Sequence, residues 1–424
     1  MKEEVVQKAR QLDAEDSLAS FRSQFYFPQK NGKDCIYLCG NSLGLQPKTT
    51  SRYLDEELKK WKEHGVEGHF TGDKPWVSYH KNSKAPLAKI VGAHEHEVVA
   101  MNNLTTNLHL AMASFYQPKG KRTKILIERG AFPSDFYAVH SRIQVSGLDP
   151  KEHLIELNPA DGSDYLSTEE ILKKINLLGD ELALVMFPGV QYYTGQFFNI
   201  QKITAAAHQT GAYAGFDLAH AVGNIPMKLH EHEVDFAVWC TYKYLNSGPG
   251  GVGGLYIHEK HGANKAMPRL SGWWGHDSDS RFKMANQINP IPTVDGWQLS
   301  NVNILSYAAH LASLQLFDEA GIGNLRAKSL KLTNLMEELI LNSAVLSGQI
   351  KILTPSTPEE RGAQLSLYLT NHGKSVFEYL IEQGVILDWR EPNVIRVAPV
   401  PLYNTFEDVV NFVSILEDAI AHEG

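Results

Sequence analysis

Two ionisable residues at the ends of neighbouring apolar runs carry the most chemistry in this chain. Asp217 closes the run Tyr213-Ala214-Gly215-Phe216. Lys243, 26 residues further on, follows the run Asp235-Phe236-Ala237-Val238-Trp239-Cys240. A carboxylate can keep a pyridine nitrogen protonated, so that the ring works as an electron sink. A lysine can hold an aldehyde as a Schiff base and afterwards move protons. Without such a bound group, both residues would be charges beside a core, which is costly unless they pair. A structural ion pair is therefore the competing reading. The run Gly248-Pro249-Gly250-Gly251-Val252-Gly253-Gly254 adds weight to the bound group.

Both runs read as buried strands that deliver their charged residues at the carboxyl end. Between about residues 85 and 260, short apolar runs (97–101, 124–127, 182–187) alternate with helical patterns. Continuous apolar strands separated by helices predict a mainly parallel sheet covered on both faces. Ligands of such sheets bind beyond the carboxyl ends of the strands. Residues 253–257 follow the lysine too soon for a helical crossover and are expected to return antiparallel. Residues 51–64 carry a helical apolar stripe at Tyr53, Leu54, Leu58 and Trp61. Residues 1–30 read as a short helix and an aromatic-rich connection.

A long helix at 301–320 leads into a second, smaller α+β domain, with strands near 364–369 and 394–398 and a helix from about 405. The expected division is an N-terminal segment at 1–50 packing with the small domain, a large domain at 51–300, and the linking helix with the small domain at 301–424. No internal repeat or low-complexity linker interrupts it.

A chain of 424 residues with 43% hydrophobic and 21% charged residues is an ordinary globular composition, long enough for two domains. The formal net charge of −8 argues against general attraction to nucleic acid or to an anionic membrane. Three cysteines, Cys35, Cys39 and Cys240, make neither a disulfide framework nor a four-ligand zinc site. The opening Met1-Lys2-Glu3-Glu4 is not that of a signal peptide. No apolar run reaches the roughly 18 residues of a membrane span. A cytoplasmic location is the expectation.

Further groups gather at strand ends. Asn102-Asn103-Leu104-Thr105-Thr106-Asn107-Leu108 opens a helical run, so amides and the Thr105 hydroxyl would favour an anion; an ordinary Thr/Asn cap is the alternative. In Ala131-Phe132-Pro133-Ser134-Asp135, the aromatic could stack on a pyridine face, or the segment could be a proline-directed turn. In Gln191-Tyr192-Tyr193-Thr194-Gly195-Gln196, a tyrosine could relay a proton or simply be buried. Arg396, alone in an apolar run, could clamp a carboxylate or form a salt bridge. His220, three residues past Asp217, could orient that carboxylate. The runs His94-Glu95-His96-Glu97 and His230-Glu231-His232-Glu233 lie in polar connections and read as solvated turns, so no catalytic metal is expected.

Taken together, these motifs resemble the kynureninase family, pyridoxal-phosphate hydrolases of the aspartate-aminotransferase fold type within the class V superfamily. The resemblance spans nearly the whole chain. It includes Gly40-Asn41-Ser42-Leu43-Gly44-Leu45-Gln46-Pro47, Met101-Asn102-Asn103-Leu104-Thr105, Phe132-Pro133-Ser134-Asp135, residues 192–196, 215–224 and 242–246, Gly272-Trp273-Trp274-Gly275-His276, and residues 396–403.

The family implies an α/β fold with a mainly parallel, seven-stranded-type large domain. It implies hydrolysis of L-kynurenine, or its 3-hydroxy form, to an anthranilate and L-alanine, in tryptophan catabolism or NAD-precursor synthesis. By the resemblance, Lys243 carries the Schiff base and Asp217 faces the pyridine nitrogen. Leu104, Thr105, Phe132, Pro133, Ser134, Asp135, His220, Tyr242, Trp273 and Asn301 match cofactor positions. Trp273 and Asn301 would come from the neighbouring subunit of a homodimer with shared active sites. Ser42, His69, Asn301 and Arg396 match substrate positions, and Tyr193 would return a proton to the β carbon. Pro188 departs from the pattern, standing where some members have a serine near the phosphate; Tyr193 or Tyr242 would cover that oxygen.

Three rival readings share parts of this set. A cysteine desulfurase needs a mobile cysteine in the second half of the chain, whereas Cys240 is the last one and sits on a strand. A class V aminotransferase and a catalytically silent dimeric binding protein are the others.

Overall fold

The alternation of side chains along each central strand sets the layers. The computed structural model describes residues 3–284 and 286–423; Met1 and Lys2 of the opening stretch lie outside them. Seven strands build the large sheet: β1 (Val98–Ala100), β2 (Lys124–Glu128), β3 (Leu154–Leu157), β4 (Leu182–Pro188), β5 (Tyr213–Asp217), β6 (Phe236–Cys240) and β7 (Gly253–Ile257). Their spatial order is β1-β7-β6-β5-β4-β2-β3. Strands β2 to β6 are parallel, and β7 runs antiparallel to both β6 and β1. Ile125 and Ile127 face one core, Leu126 the other; Phe236 and Val238 face the first, Ala237 and Trp239 the second. This double burial is why these strands read as unbroken apolar runs.

Two glycines let the central strands pack. A Cβ on Gly254 would lie 2.0 Å from the Trp239 ring, and one on Gly215 would lie 2.1 Å from that of Phe236. The covering helices start where their caps dictate. Ser167 and Glu170 form a reciprocal capping box before Thr168–Leu178, and the Asn199 side chain accepts from the Lys202 amide before Ile200–Thr210.

The expected helix near 51–64 spans Thr50–His64, and that near 301–320 spans Ile304–Ala320. Gly321, at φ 75, then turns the chain into a further helix, Ile322–Leu341, which the sequence reading did not separate. The smaller sheet has β8 (Ile350–Ile352), β9 (Leu365–Leu369), β10 (Asp388–Arg390) and β11 (Val394–Val397), all antiparallel in the order β8-β9-β11-β10. Helix Phe406–Glu423 ends the chain. Ala9, from helix Glu3–Ala14, and Leu38 share one core with Leu365, Val397 and Phe412. Ile36 and Tyr37 pair in parallel with Val385 and Ile386.

All three cysteines are buried and free. No helix among the described residues is long and apolar enough to cross a membrane. One expectation is corrected here. His94, Glu95 and His96 are exposed as a solvated turn requires, but Glu97 is fully buried, with the ring of His230 against its carboxylate.

Candidate active site

The carboxyl ends of β2, β4 and β5 meet the turns after β1 and β6 around one cavity. Leu104, Thr105, Phe132, Ser134, Asp135, Asp217, His220, Tyr242 and Lys243 all line it, together with Pro188. Pro133 stands just behind them as the first residue of helix Pro133–Val145, where its missing N–H costs nothing.

The rim is built from two helix starts. Asn103 is the cap of helix Leu104–Phe115, accepting the Thr106 amide at 3.0 Å. The amides of Leu104 and Thr105 therefore begin the helix without intrahelical partners. The Thr105 hydroxyl lies 2.8 Å from that of Ser134, on the other helix start, so two N-terminal dipoles favour an anion at the same rim. The glycine run serves this turn. A Cβ on Gly253 would lie 2.7 Å from the Asn103 carbonyl carbon, and Gly253 exchanges backbone hydrogen bonds with Met101 and Asn102, both 2.8 Å.

The cavity floor is acidic on one side and basic on the other. Asp217 accepts the Ala219 amide at 2.7 Å. Burial, and then the charge and hydrogen bond of Asp217, hold the Asp135 carboxyl well above its usual range; burial followed by Asp217 does the same to Glu128. A protonated Asp135 donates to Asp217 instead of repelling it.

Across the cavity, Lys243 Nζ lies 2.9 Å from His220 Nε2. Burial, and then the Lys243 cation, hold the imidazole well below its ordinary value. The neutral ring accepts at Nε2 and carries its proton on Nδ1. That Nδ1 and Asp135 Oδ1 are both buried with no hydrogen-bond partner. Unsatisfied polar atoms on two residues of one cavity fit a polar, aromatic group that they would hold.

On the far side, Arg396 of β11 is almost fully buried. It donates to Asp388 Oδ2 at 2.7 Å, to the Tyr192 carbonyl at 2.7 Å and to the Ser42 hydroxyl at 3.1 Å. The salt bridge foreseen as an alternative is therefore present. The Ser42 hydroxyl in turn donates to Asp388. The segment carrying Ser42 is fastened to the lysine turn, because the Gly44 amide donates to the Tyr242 carbonyl at 2.8 Å.

Arg396 and Ser42 reach this cavity only through the Tyr192 carbonyl and do not line it, and four further expected residues are not brought to it within the chain. Tyr193 lines an adjoining cleft with Glu128 and Gly130, while its neighbour Tyr192 lines the Lys243 cavity, with its ring 5.2 Å from Phe132. Trp273, 47% exposed, donates to the Arg281 carbonyl in a separate cleft. Asn301 is exposed beside Ser300, and His69 packs edge-on against Trp76. The rings of Trp273, Phe282 and Phe70 instead join an exposed apolar patch.

The sequence reading missed Glu128, Tyr192 and Asp388. Glu128 had a signal: it is a charged residue ending an apolar strand, as Asp217 is.

Residues 325–416 match the family model described as the kynureninase C-terminal domain. Curated kynureninases resemble the chain over nearly its full length. That of Flavobacterium psychrophilum is 50% identical over 413 residues, 97% of each chain. That of Xanthomonas oryzae pv. oryzae is 53% identical over 409 residues, 96% of each. This chain belongs to the kynureninase family. The expected family and α/β class V fold are thus both found. Among solved structures, a cysteine desulfurase from Escherichia coli matches with a TM-score of 0.76 at 17% identity, covering 96% of this chain and 99% of its own. A cystine C–S lyase matches with a TM-score of 0.74 at 17% identity, covering 91% and 97%. At such identity the likeness is one of fold, and the kynureninase relatives alone speak to chemistry.

Proposed function

We propose that this chain hydrolyses L-kynurenine to anthranilate and L-alanine with pyridoxal phosphate as its cofactor. The observation that carries the reading is the full-length match to kynureninases, joined to the Lys243, His220, Asp217 and Asp135 cluster in one cavity. When bound, the cofactor supplies an aldehyde for the substrate amine and an electron-poor ring that stabilises negative charge on the substrate. Asp217 would face its ring nitrogen, Phe132 a ring face, and Leu104, Thr105 and Ser134 its phosphate. His220 and Asp135 would satisfy their orphaned atoms on it, with Tyr242 alongside.

Lys243 would hold the cofactor's aldehyde and, once released, would take the substrate α proton at Nζ, steadied by the acceptor His220 Nε2. Arg396, positioned by Asp388 and Ser42, binds the α-carboxylate. Water adds to the aryl ketone, the bond between β and γ carbons breaks, and anthranilate leaves. The proton returned to the β carbon is assigned to the adjacent tyrosines, Tyr192 at the cavity or Tyr193 beside it.

Finer readings rest on the same assignment. The working unit is a homodimer, in which Trp273 and Asn301 complete the neighbour's cavity; their exposed positions support this. Asn301 would then meet the ring hydroxyl of 3-hydroxykynurenine. Asn301→Ala should change the preference between the two substrates, and an unchanged ratio would end that idea. The division into segments 1–50, 51–300 and 301–424, the cytoplasmic location and a role in tryptophan catabolism and NAD-precursor supply belong to this proposal.

A cysteine desulfurase reading is disfavoured by the thiols. Burial, and then Asp388, push Cys39 up to about 11, and burial raises Cys240, the opposite of an activated nucleophile. The direct test is to incubate the cofactor-loaded protein with L-kynurenine and follow anthranilate fluorescence. Anthranilate with equimolar alanine supports the reading. No anthranilate, with turnover dependent on an added keto acid, would move the chain to the aminotransferases.

A further inference from the structure

At the end of the large sheet away from Lys243, Glu97, His230 and His258 bring three ligand atoms within 4.8 Å of one another. The topology explains the meeting. Glu97 precedes β1, His258 follows β7, and His230 lies in the connection between β5 and β6. Because β7 is antiparallel, its Ile257 end is the one remote from the cavity. Five strand residues at ~3.3 Å each put roughly 16 Å between this cluster and the cofactor end of β7.

The carboxylate is aimed by the backbone. Glu97 Oε2 accepts the His94 amide at 2.9 Å and Oε1 the Glu259 amide at 2.8 Å. His230 Nδ1 lies 3.0 Å from Oε1, and His258 Nδ1 lies 3.7 Å from the same oxygen. Glu97 and His258 are buried, and His230 is half-buried. The imidazoles form a row. His258 stacks on His230 at 5.0 Å between centroids, His230 meets His94 at 4.0 Å, and His94 stacks on His96 at 5.4 Å. Such a row is repulsive when protonated and rich in nitrogen lone pairs when neutral.

We propose that Glu97, His230 and His258 form a binding site for a divalent transition-metal ion of the zinc class. Two imidazoles and one carboxylate, converging from three separate connections, are a borderline-soft donor set that suits zinc and disfavours magnesium. Water completes the fourth position. The ion takes the place of the hydrogen that His230 Nδ1 lends to Glu97. That hydrogen passes by exchange with water to Nε2, so the ring stays neutral. The two amides on Glu97 remain as its orienting contacts. His258 Nδ1 exchanges the Lys260 amide, now at 3.2 Å, for the ion; Lys260 is exposed, so water can satisfy that amide. The bound ion ties together the connections before β1, before β6 and after β7. It takes no part in the reaction at the other end of the strands.

A second histidine–carboxylate group gives the control. Asp235 accepts His208 Nε2 on one oxygen and His261 Nε2 on the other, at 2.8 and 2.7 Å, so its donors are already divided between the two oxygens.

The test uses untagged, cofactor-loaded protein treated with chelator and dialysed, then titrated with Zn2+ by calorimetry and with Co2+ by visible absorption. The site predicts one ion per chain, tetrahedral Co2+ bands, no response to Mg2+, and an unchanged rate of anthranilate formation. Binding to the folded state alone should raise Tm by a few degrees at about 100-fold excess over Kd. His230→Ala, at a half-exposed position, should weaken binding by about 100-fold and remove the Tm shift, while His208→Ala should leave both intact. Glu97→Gln should act as His230→Ala does. Absence of stoichiometric Zn2+ binding, or binding that survives His230→Ala, would overturn the proposal.

Discussion

Lys243 Nζ lies 2.9 Å from His220 Nε2, joining the turn after β6 to the turn after β5. Because the Lys243 cation can only donate, the neutral imidazole accepts at this atom, and the amine is held towards the cavity. Removing the amine should cut anthranilate formation by about 10²- to 10⁴-fold. The Lys243→Ala protein should still bind cofactor, without the visible band of its imine; retained activity would refute the role.

Gly44 has no room for a side chain. A Cβ there would lie 2.1 Å from Asn246 Oδ1 and 2.4 Å from the Lys243 carbonyl oxygen. Because the second of these is backbone, relief must move the turn that carries the lysine. Gly44→Ala should therefore destabilise by about 1–3 kcal/mol and lower kcat. Thermal unfolding and steady-state kinetics read both, and a variant equal to wild type in each would contradict this packing.

Arg396 is braced by Asp388, Ser42 and the Tyr192 carbonyl, so its fork is fixed before substrate arrives. Lysine keeps the charge but cannot make the fork. Arg396→Lys should raise KM for kynurenine more than it lowers kcat, and Asp388→Asn should do so more weakly. A fall confined to kcat would show that the guanidinium does not bind the carboxylate.

His310 sets a pH limit on stability. Burial pushes it down to about 3, and its Nδ1 sits 2.7 Å from the Ser247 hydroxyl. The unfolded ring titrates near 6.5, so below that pH the unfolded state binds a proton that the native state refuses. Stability is thus lost as pH falls from 6.5 towards 3, by about 1.4 kcal/mol per pH unit from this group. Denaturant unfolding at pH 6.0, 5.25 and 4.5 should show a shallower slope for His310→Gln than for wild type. Equal slopes would remove His310 as a cause.

The proposed sharing of active sites makes a mixing prediction. Trp273→Ala and Lys243→Ala proteins should each be poorly active. A hybrid dimer carries one cavity with both native residues, so random mixing should restore up to about a quarter of wild-type activity. No recovery after subunit exchange would place Trp273 outside the neighbour's site.

The legible parts of the fold were those decided by burial on both faces. Strands β4 to β7 are buried almost throughout and announced themselves as apolar runs. The edge strand β3 is half-buried and carries Glu156, paired with Arg129, so it lacked that signature. Lys243 and Asp217 were legible because charges at strand ends need a reason. Asp388 was not, since it meets Arg396 only through the register of β10 on β11. Adjacent tyrosines cannot be ranked by pattern either, and backbone direction after β4 decides that Tyr192 lines the cavity. Glu97 misled for the opposite reason: its sequence neighbours are solvated, while contacts from His230 and Glu259 bury it.

Residues 36–44 bind partners from distant parts of the chain. Ile36 and Tyr37 wait for Val385 and Ile386, about 350 residues later, and Gly44 then fastens to Tyr242. Long-range closure of this kind is slow and comes after local structure. The lysine turn leaves the ribosome well before residues 385–386 emerge to pin the segment that braces it. Catalytic competence therefore waits for residues 385–386, and cofactor captured by a nascent chain before then would meet an unfinished wall.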